Sequence, residues 1–337
     1  MKAVRKQKKG KGNIELVDVP KPKIGPRDIL MKVWAAGVCG SDLNIEDDTH
    51  FYRAPVTIGH EYSGIVEEVG RDVKKVKVGD KIVADIEAPE GWLGVEIDGS
   101  YAEYMRIPEV VIHKCPSDMD LDAAALCEPV AASIHCFQER NTINAGDFVV
   151  VIGPGPMGML AVQFARLRGA RKIVLVGLRS DEQRLEIGKK IGSDKVFYCE
   201  DCSLQEIMEM SEGGADFVAD CAGTGSGTQF AIDVARPANT GQGGKGKITL
   251  VAMWGKPITL NLDKVSMKQL DFKGSWSWNG SETWDRAINL LYGGFINYRD
   301  MITSRYKLEE WKIAFKNLRE KKDVKAFIHP NGIDWKY

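Results

Sequence analysis

No stretch of this 337-residue chain is long and apolar enough to span a bilayer, and no signal-like apolar run follows its basic cluster of Lys2, Arg5, Lys6, Lys8, Lys9 and Lys11. No membrane partner is expected, and the cluster reads as a solvated turn between two strands. Excess charge is missing as well: 46 basic residues stand against 47 acidic ones, a net charge of -1. This gives no electrostatic reason to expect nucleic acid as a partner. A disulfide framework is equally absent, because the seven cysteines are odd in number and scattered. Thiols that serve as small core residues in a reducing cytoplasm are the expectation. Cys199 and Cys202 form a CxxC, but with no partner pair they read as packing residues.

What is present is enough chain for two cores, with a 44% apolar fraction typical of globular proteins. The first third is punctuated by glycine and proline and reads as short strands at 1–5, 14–19, 28–36, 62–69 and 81–84. A helical period runs over 126–139. From Phe148 the pattern changes to apolar strands alternating with helical stretches: DFVVVIG, a helix over 157–168, KIVLVG, a helix over 181–191, KVFYC, DFVADCAG, KITLVAM and DFKGSWS. Such alternation implies a parallel sheet covered by helices on both faces. Two amphipathic helices (283–291 and 308–320) and a strand (324–329) complete the chain, and the stretch 241–247 reads as a flexible turn.

Gly153-Pro154-Gly155-Pro156-Met157-Gly158 follows the strand DFVVVI and opens a helix. The three glycines suit a tight turn, a close backbone approach to a pyrophosphate and close packing of helix on strand. The helix N-terminus then offers free N–H groups to the anion. A second strand, 172–176, should end at the cofactor ribose, where NAD enzymes carry Asp or Glu. Gly177-Leu178-Arg179-Ser180 stand there instead, and Arg184 follows. An arginine and a hydroxyl suit a 2'-phosphate, so NADP is favoured over NAD.

Cys39 in GVCGSD, His60 and Glu61 in IGHEYSG, and Glu128 in LCEPV are of the types that bind zinc, of which a catalytic site takes three and keeps one position open. Taken singly, each also suits an ordinary core or surface role. The words GVCGSD, GHEYSGIVEEVG, VGDKI, DGSYAEY, CEP and GPGPMG, in this order, resemble the zinc-dependent medium-chain alcohol dehydrogenases over essentially the whole chain. The likeness is greatest to the sorbitol, threonine and related polyol or amino-alcohol branch, because Glu128-Pro129 stand where other alcohol dehydrogenases have a zinc cysteine.

The resemblance implies an α/β protein with a GroES-like β-rich catalytic domain (1–140), a Rossmann doubly wound cofactor domain (141–276) and a return segment completing the catalytic domain (277–337). It implies a catalytic zinc on Cys39, His60 and Glu61, with Glu128 binding alternately or through a water. Ser41 would pass the substrate proton outward, and Asp42 would orient the zinc histidine. The substrate would be a small secondary alcohol or its ketone, and the assembly a homodimer or homotetramer. Three departures stand out. No cysteine lies between Cys39 and Cys115, so a structural zinc is not expected; Asn44 replaces a relay histidine; and Ser277-Trp278 replace an Arg-Tyr pair of sorbitol dehydrogenases. The competing readings are a zinc-free reductase on the same fold and a non-catalytic cofactor-binding protein.

Overall fold

A computed structural model describes residues 1–201, 204–238 and 246–335; Cys202 of the CxxC and positions 241–245 of the expected turn lie outside the described residues. Contacts divide the chain into two compact units, one formed by Met1–Pro129 with Gly280–Tyr337 and the other by Val130–Asn279.

The first unit is built on strands. Its main sheet runs in the order 112–114, 81–84, 61–69, 28–37, 325–329, 302–307, and strand 104–108 also pairs with 28–37. Neighbours are antiparallel except 302–307 and 325–329, which run parallel. The return segment is therefore a structural part of this sheet, since 325–329 lies inside it. Helix Trp311–Arg319 buries Trp311, Ala314 and Phe315, the i, i+3, i+4 stripe of an amphipathic helix. These side chains join Val4, Val38, Tyr101 and Ile328 in one apolar core.

The second unit holds a six-stranded parallel sheet in the order 195–198, 172–177, 148–152, 217–220, 247–250, 271–274. In chain order this is the 3-2-1-4-5-6 arrangement of a doubly wound dinucleotide fold. Every residue of Phe148–Ile152 is buried, which explains why its sequence is a continuous apolar run and not an alternation.

Three local expectations change. Lys6 is not part of a solvated turn: it is buried, and its ammonium donates to the carbonyl oxygens of Gly10 at 2.6 Å and Gly12 at 2.7 Å, closing the loop between strands 2–6 and 14–18. The helical stretch expected over 126–139 is α-helical at Cys127–Ile134 and widens into a π turn at His135–Glu139. Strand Ile302–Lys307 has no counterpart among the expected elements; its polar residues alternate in burial as they must on an outer strand with one wet face.

Candidate metal and cofactor sites

Strand Asp28–Gly37 leads directly to Cys39, and its antiparallel register places Gly37 opposite Glu61. Two segments some twenty residues apart thus meet, and one ligand atom from each of Cys39, His60 and Glu61 lies within 4.8 Å of the others. Gly37 makes the approach possible, because a Cβ there would fall 2.3 Å from Glu61 Oε2. His60 and Glu61 are buried, and Cys39 is partly exposed.

The imidazole is held from both sides. Asp42, in helix Gly40–Glu46, places Oδ1 3.4 Å from His60 Nδ1, and neither of these buried atoms has another hydrogen bond. The other oxygen of Asp42 accepts the Cys39 backbone N–H at 2.9 Å and the Tyr101 hydroxyl at 2.7 Å. A carboxylate on Nδ1 fixes the ring and leaves Nε2 as the ligand atom. The Ser41 hydroxyl lies 3.2 Å from that Nε2.

Lys325 is the residue that sequence reasoning missed. It opens strand Lys325–His329, is buried, and its ammonium lies 2.5 Å from Glu61 Oε2 and 3.2 Å from the Val38 carbonyl oxygen. Burial pulls its pKa down, but the charges of Glu61 and then Cys39 outweigh this and raise it above the ordinary lysine value. Lys325 is therefore a fixed cation inside the cluster. No local motif marks it.

Glu128 sits in the first turn of helix Cys127–Ile134, outside the close trio but within electrostatic reach. Burial and then the charge of Glu61 push its pKa up to about 7. Burial also pulls His60 down, yet Asp42 and then Cys39 outweigh it and hold the imidazole well above its ordinary value. The Lys325 ammonium thus faces the Glu61 carboxylate inside a cluster of acidic donors. The donor chemistry, one thiol, one imidazole and one carboxylate converging with a carboxylate behind the imidazole, fits zinc.

In the second unit, Gly153 has φ +95°, and helix Pro156–Leu167 follows with Gly155 at its N-cap and Met157 in its first turn. A Cβ at Gly158 would fall 1.9 Å from the Gly153 carbonyl oxygen, so no larger residue closes this turn. A turn of this shape at a helix N-terminus is where dinucleotide folds receive a phosphate. The second strand, Lys172–Gly177, ends against this turn, since a Cβ on Gly177 would lie 2.9 Å from Pro154 Cγ. Arg179 and Ser180 follow in a short 3-10 turn, with Arg179 exposed. Arg184 points inward and is buried in helix Glu182–Ile191.

Residues 25–117 match the family model of the alcohol dehydrogenase GroES-like domain, and residues 156–292 match that of zinc-binding dehydrogenases. A sorbitol dehydrogenase of Halalkalibacterium halodurans is 31% identical, over 98% of this chain and 99% of its own. A D-arabitol-phosphate dehydrogenase of Enterococcus avium is also 31% identical, over 98% of each chain. Among solved structures, a protein of Sinorhizobium meliloti 1021 assigned as a zinc-binding dehydrogenase and bound to NADP superposes with a TM-score of 0.87, at 27% identity, over 98% of this chain and 99% of that one.

The chain belongs to the zinc-type medium-chain alcohol dehydrogenases.

Within this family the first matched segment carries Cys39, Ser41, His60 and Glu61, and the second begins at the helix after the glycine turn. Glu128 and Lys325 lie outside both matched segments. Tyr101 belongs to the dehydrogenase word DGSYAEY, where its sequence gives no sign that it holds Asp42. As in other dehydrogenases of this type, the chemistry is hydride exchange at a CH–OH group with a nicotinamide cofactor.

Proposed function

We propose that this dehydrogenase oxidises a small secondary alcohol, a polyol, sugar or amino alcohol, to its ketone, with one zinc per chain and with NADP favoured over NAD. The convergence of Cys39, His60 and Glu61 beside Asp42 carries the reading. Bound there, zinc supplies Lewis-acid polarisation of the substrate oxygen, and the nicotinamide supplies the hydride acceptor. Cys39, His60 and Glu61 hold the metal, with Glu128 as the alternate carboxylate. Asp42 and Tyr101 keep the imidazole in one orientation. Ser41, whose hydroxyl faces His60, takes the substrate proton towards solvent. Parallel assays of an alcohol panel with NADP and NAD, together with elemental analysis of purified protein, test this reading. Two tightly held zinc atoms per chain, or turnover unaffected by zinc removal, would refute it.

The cofactor preference rests on Arg179 and Ser180 at the end of strand 172–177, with Arg184 behind them. Arg179→Ala should weaken NADP about tenfold and leave NAD nearly unchanged, the lower end of the range for a charge-assisted contact because this arginine is exposed. Equal losses of both cofactors would assign Arg179 to the fold and not to the phosphate.

We place the chain in the cytoplasm, in keeping with the free thiols among the described residues. No helix among those residues is long and apolar enough to cross a membrane. For assembly we propose a homodimer or homotetramer through strand Asp271–Gly274, which lies at the end of its sheet. Met267 nearby is 75% exposed and Leu262 58%, and an outer strand beside apolar surface is an association site. Light scattering at micromolar concentration should give two or four chains per particle, and Met267→Glu should shift it towards monomer. A wild-type monomer would refute the proposed interface.

A further inference from the structure

In most dinucleotide folds one residue after the second strand reads the adenosine ribose. Here no carboxylate occupies that place, yet the fold brings two carboxylates to it from the third strand. Strands Lys172–Gly177 and Lys195–Tyr198 run parallel with Gly177 beside Tyr198, and the Cys199 N–H donates to the Gly177 carbonyl oxygen at 2.7 Å. Residues 200 and 201 therefore arrive next to Arg179. Glu200 accepts the Arg179 backbone N–H at 3.1 and 3.2 Å, and Asp201 pairs with the Arg179 guanidinium. The same guanidinium lies 5.2 Å from the centre of the Tyr198 ring. Because Gly177 packs against Pro154, the whole group stands at the rim of the glycine turn.

We propose that Asp201 is a specificity-determining residue for the cofactor, opposing Arg179 at the adenosine ribose; the proposal rests on the cofactor reading above. Arg179 and Asp201 are 61% and 53% exposed in their side chains, so their ion pair is a weak, solvent-screened one. A 2'-phosphate, with more charge and three acceptor oxygens, displaces Asp201 from the guanidinium. The displaced carboxylate remains close and repels the phosphate. When the ribose carries a hydroxyl instead, Asp201 keeps Arg179 occupied and offers an acceptor to that hydroxyl. The acid normally found after the second strand has in effect moved to the end of the third. Its presence beside an arginine makes this a site that accepts both cofactors with a modest preference for the phosphorylated one. Glu200 differs from Asp201, because both its oxygens serve the backbone of the turn and it acts on geometry.

The test uses the full-length protein and two adenosine probes, 2',5'-ADP and 5'-ADP, titrated calorimetrically. Kinetic constants for NADP and NAD are measured alongside. Asp201→Asn should tighten 2',5'-ADP and raise the NADP-to-NAD ratio of kcat/KM about fivefold, a size set by one screened charge at short range. Arg179→Ala should weaken 2',5'-ADP without changing 5'-ADP. In the double variant the Asp201 effect on 2',5'-ADP should persist, since repulsion does not need the arginine, while the 5'-ADP affinity should fall below that of wild type and of Arg179→Ala, both of which keep Asp201. Asp201→Ser, which also removes the charge, guards against an artefact of the asparagine. If both Asp201 variants leave the ratio within about twofold of wild type while Arg179→Ala still weakens 2',5'-ADP, the proposal is overturned and the cofactor reading survives. If wild type does not distinguish the two probes and Arg179→Ala changes neither, both fall together.

Discussion

Cys39→Ser should reduce turnover by about a thousandfold or more, because a Lewis acid contributes several kcal/mol to the barrier and each 1.36 kcal/mol is a factor of ten. The serine hydroxyl is a poor ligand at neutral pH, whereas a thiolate binds zinc strongly. Zinc per chain should fall from one towards zero in parallel. The fold should persist, since Cys39 is partly exposed at the start of a short helix and is not part of the apolar core that Trp311 and Phe315 join. Thermal melts in a chelator separate the two effects: there wild type and variant should unfold within a few degrees of one another, and added zinc should stabilise only wild type. A variant that melts far lower even in chelator would show that the thiol supports the fold. Retained turnover with unchanged zinc content would remove Cys39 from the metal site.

The second large effect is expected at Lys325. Its ion pair with Glu61 is almost fully buried, with side-chain exposures of 1% and 2%. Removing one partner of such a pair leaves an uncompensated charge in the interior, at a cost of about 3–5 kcal/mol. Lys325→Ala should therefore lower the unfolding free energy of metal-free protein by about that amount, read from denaturant titration. Lys325→Met combined with Glu61→Gln should recover much of the loss, since replacing both charges with neutral groups of similar size is often neutral. The two single changes should not add. A loss below about 1 kcal/mol for Lys325→Ala would mean that Glu61 finds another partner or reaches water. In the zinc-loaded protein the penalty should shrink, because a bound cation near Glu61 can take over part of the compensation.

How much of this was legible depends on how local each signal is. The glycine turn could be read directly, since Gly153 takes a positive φ and Gly158 packs on the Gly153 carbonyl oxygen five residues away, constraints that act within one short segment. The parallel sheet was legible for a similar reason: strands buried on both faces must be apolar throughout, and Phe148–Ile152 is. The metal donors were legible only through the words that surround them, because spacing alone does not place Cys39 against His60; the Gly37–Glu61 register does that. Strand Ile302–Lys307 went unseen because its polar alternation carries little apolar signal. Lys6 was misplaced because a lysine in a basic, glycine-rich stretch looks solvated, and only the closed loop shows the carbonyls that take its charge. Lys325 and Asp201 act across strands, so their roles exist only once the sheets are formed.

The position of strand Lys325–His329 bears on how the protein is born. The Glu61–Lys325 contact spans 264 residues, and the whole second unit is inserted between the two halves of the first. A nascent chain emerging from the ribosome delivers Cys39, His60 and Glu61 early, but the upper end of strand 28–37 and the carboxylate of Glu61 then wait for a partner made much later. The inserted unit, whose sheet is contiguous in sequence, can close first, as local contacts form faster than distant ones. Vectorial synthesis thus leaves the candidate metal site without its Lys325 cation until strand 325–329 has been made. Until strand 325–329 docks, Asp42 and the pairing of 28–37 with 61–69 already join the three candidate donors, but the Glu61 carboxylate lacks its Lys325 partner.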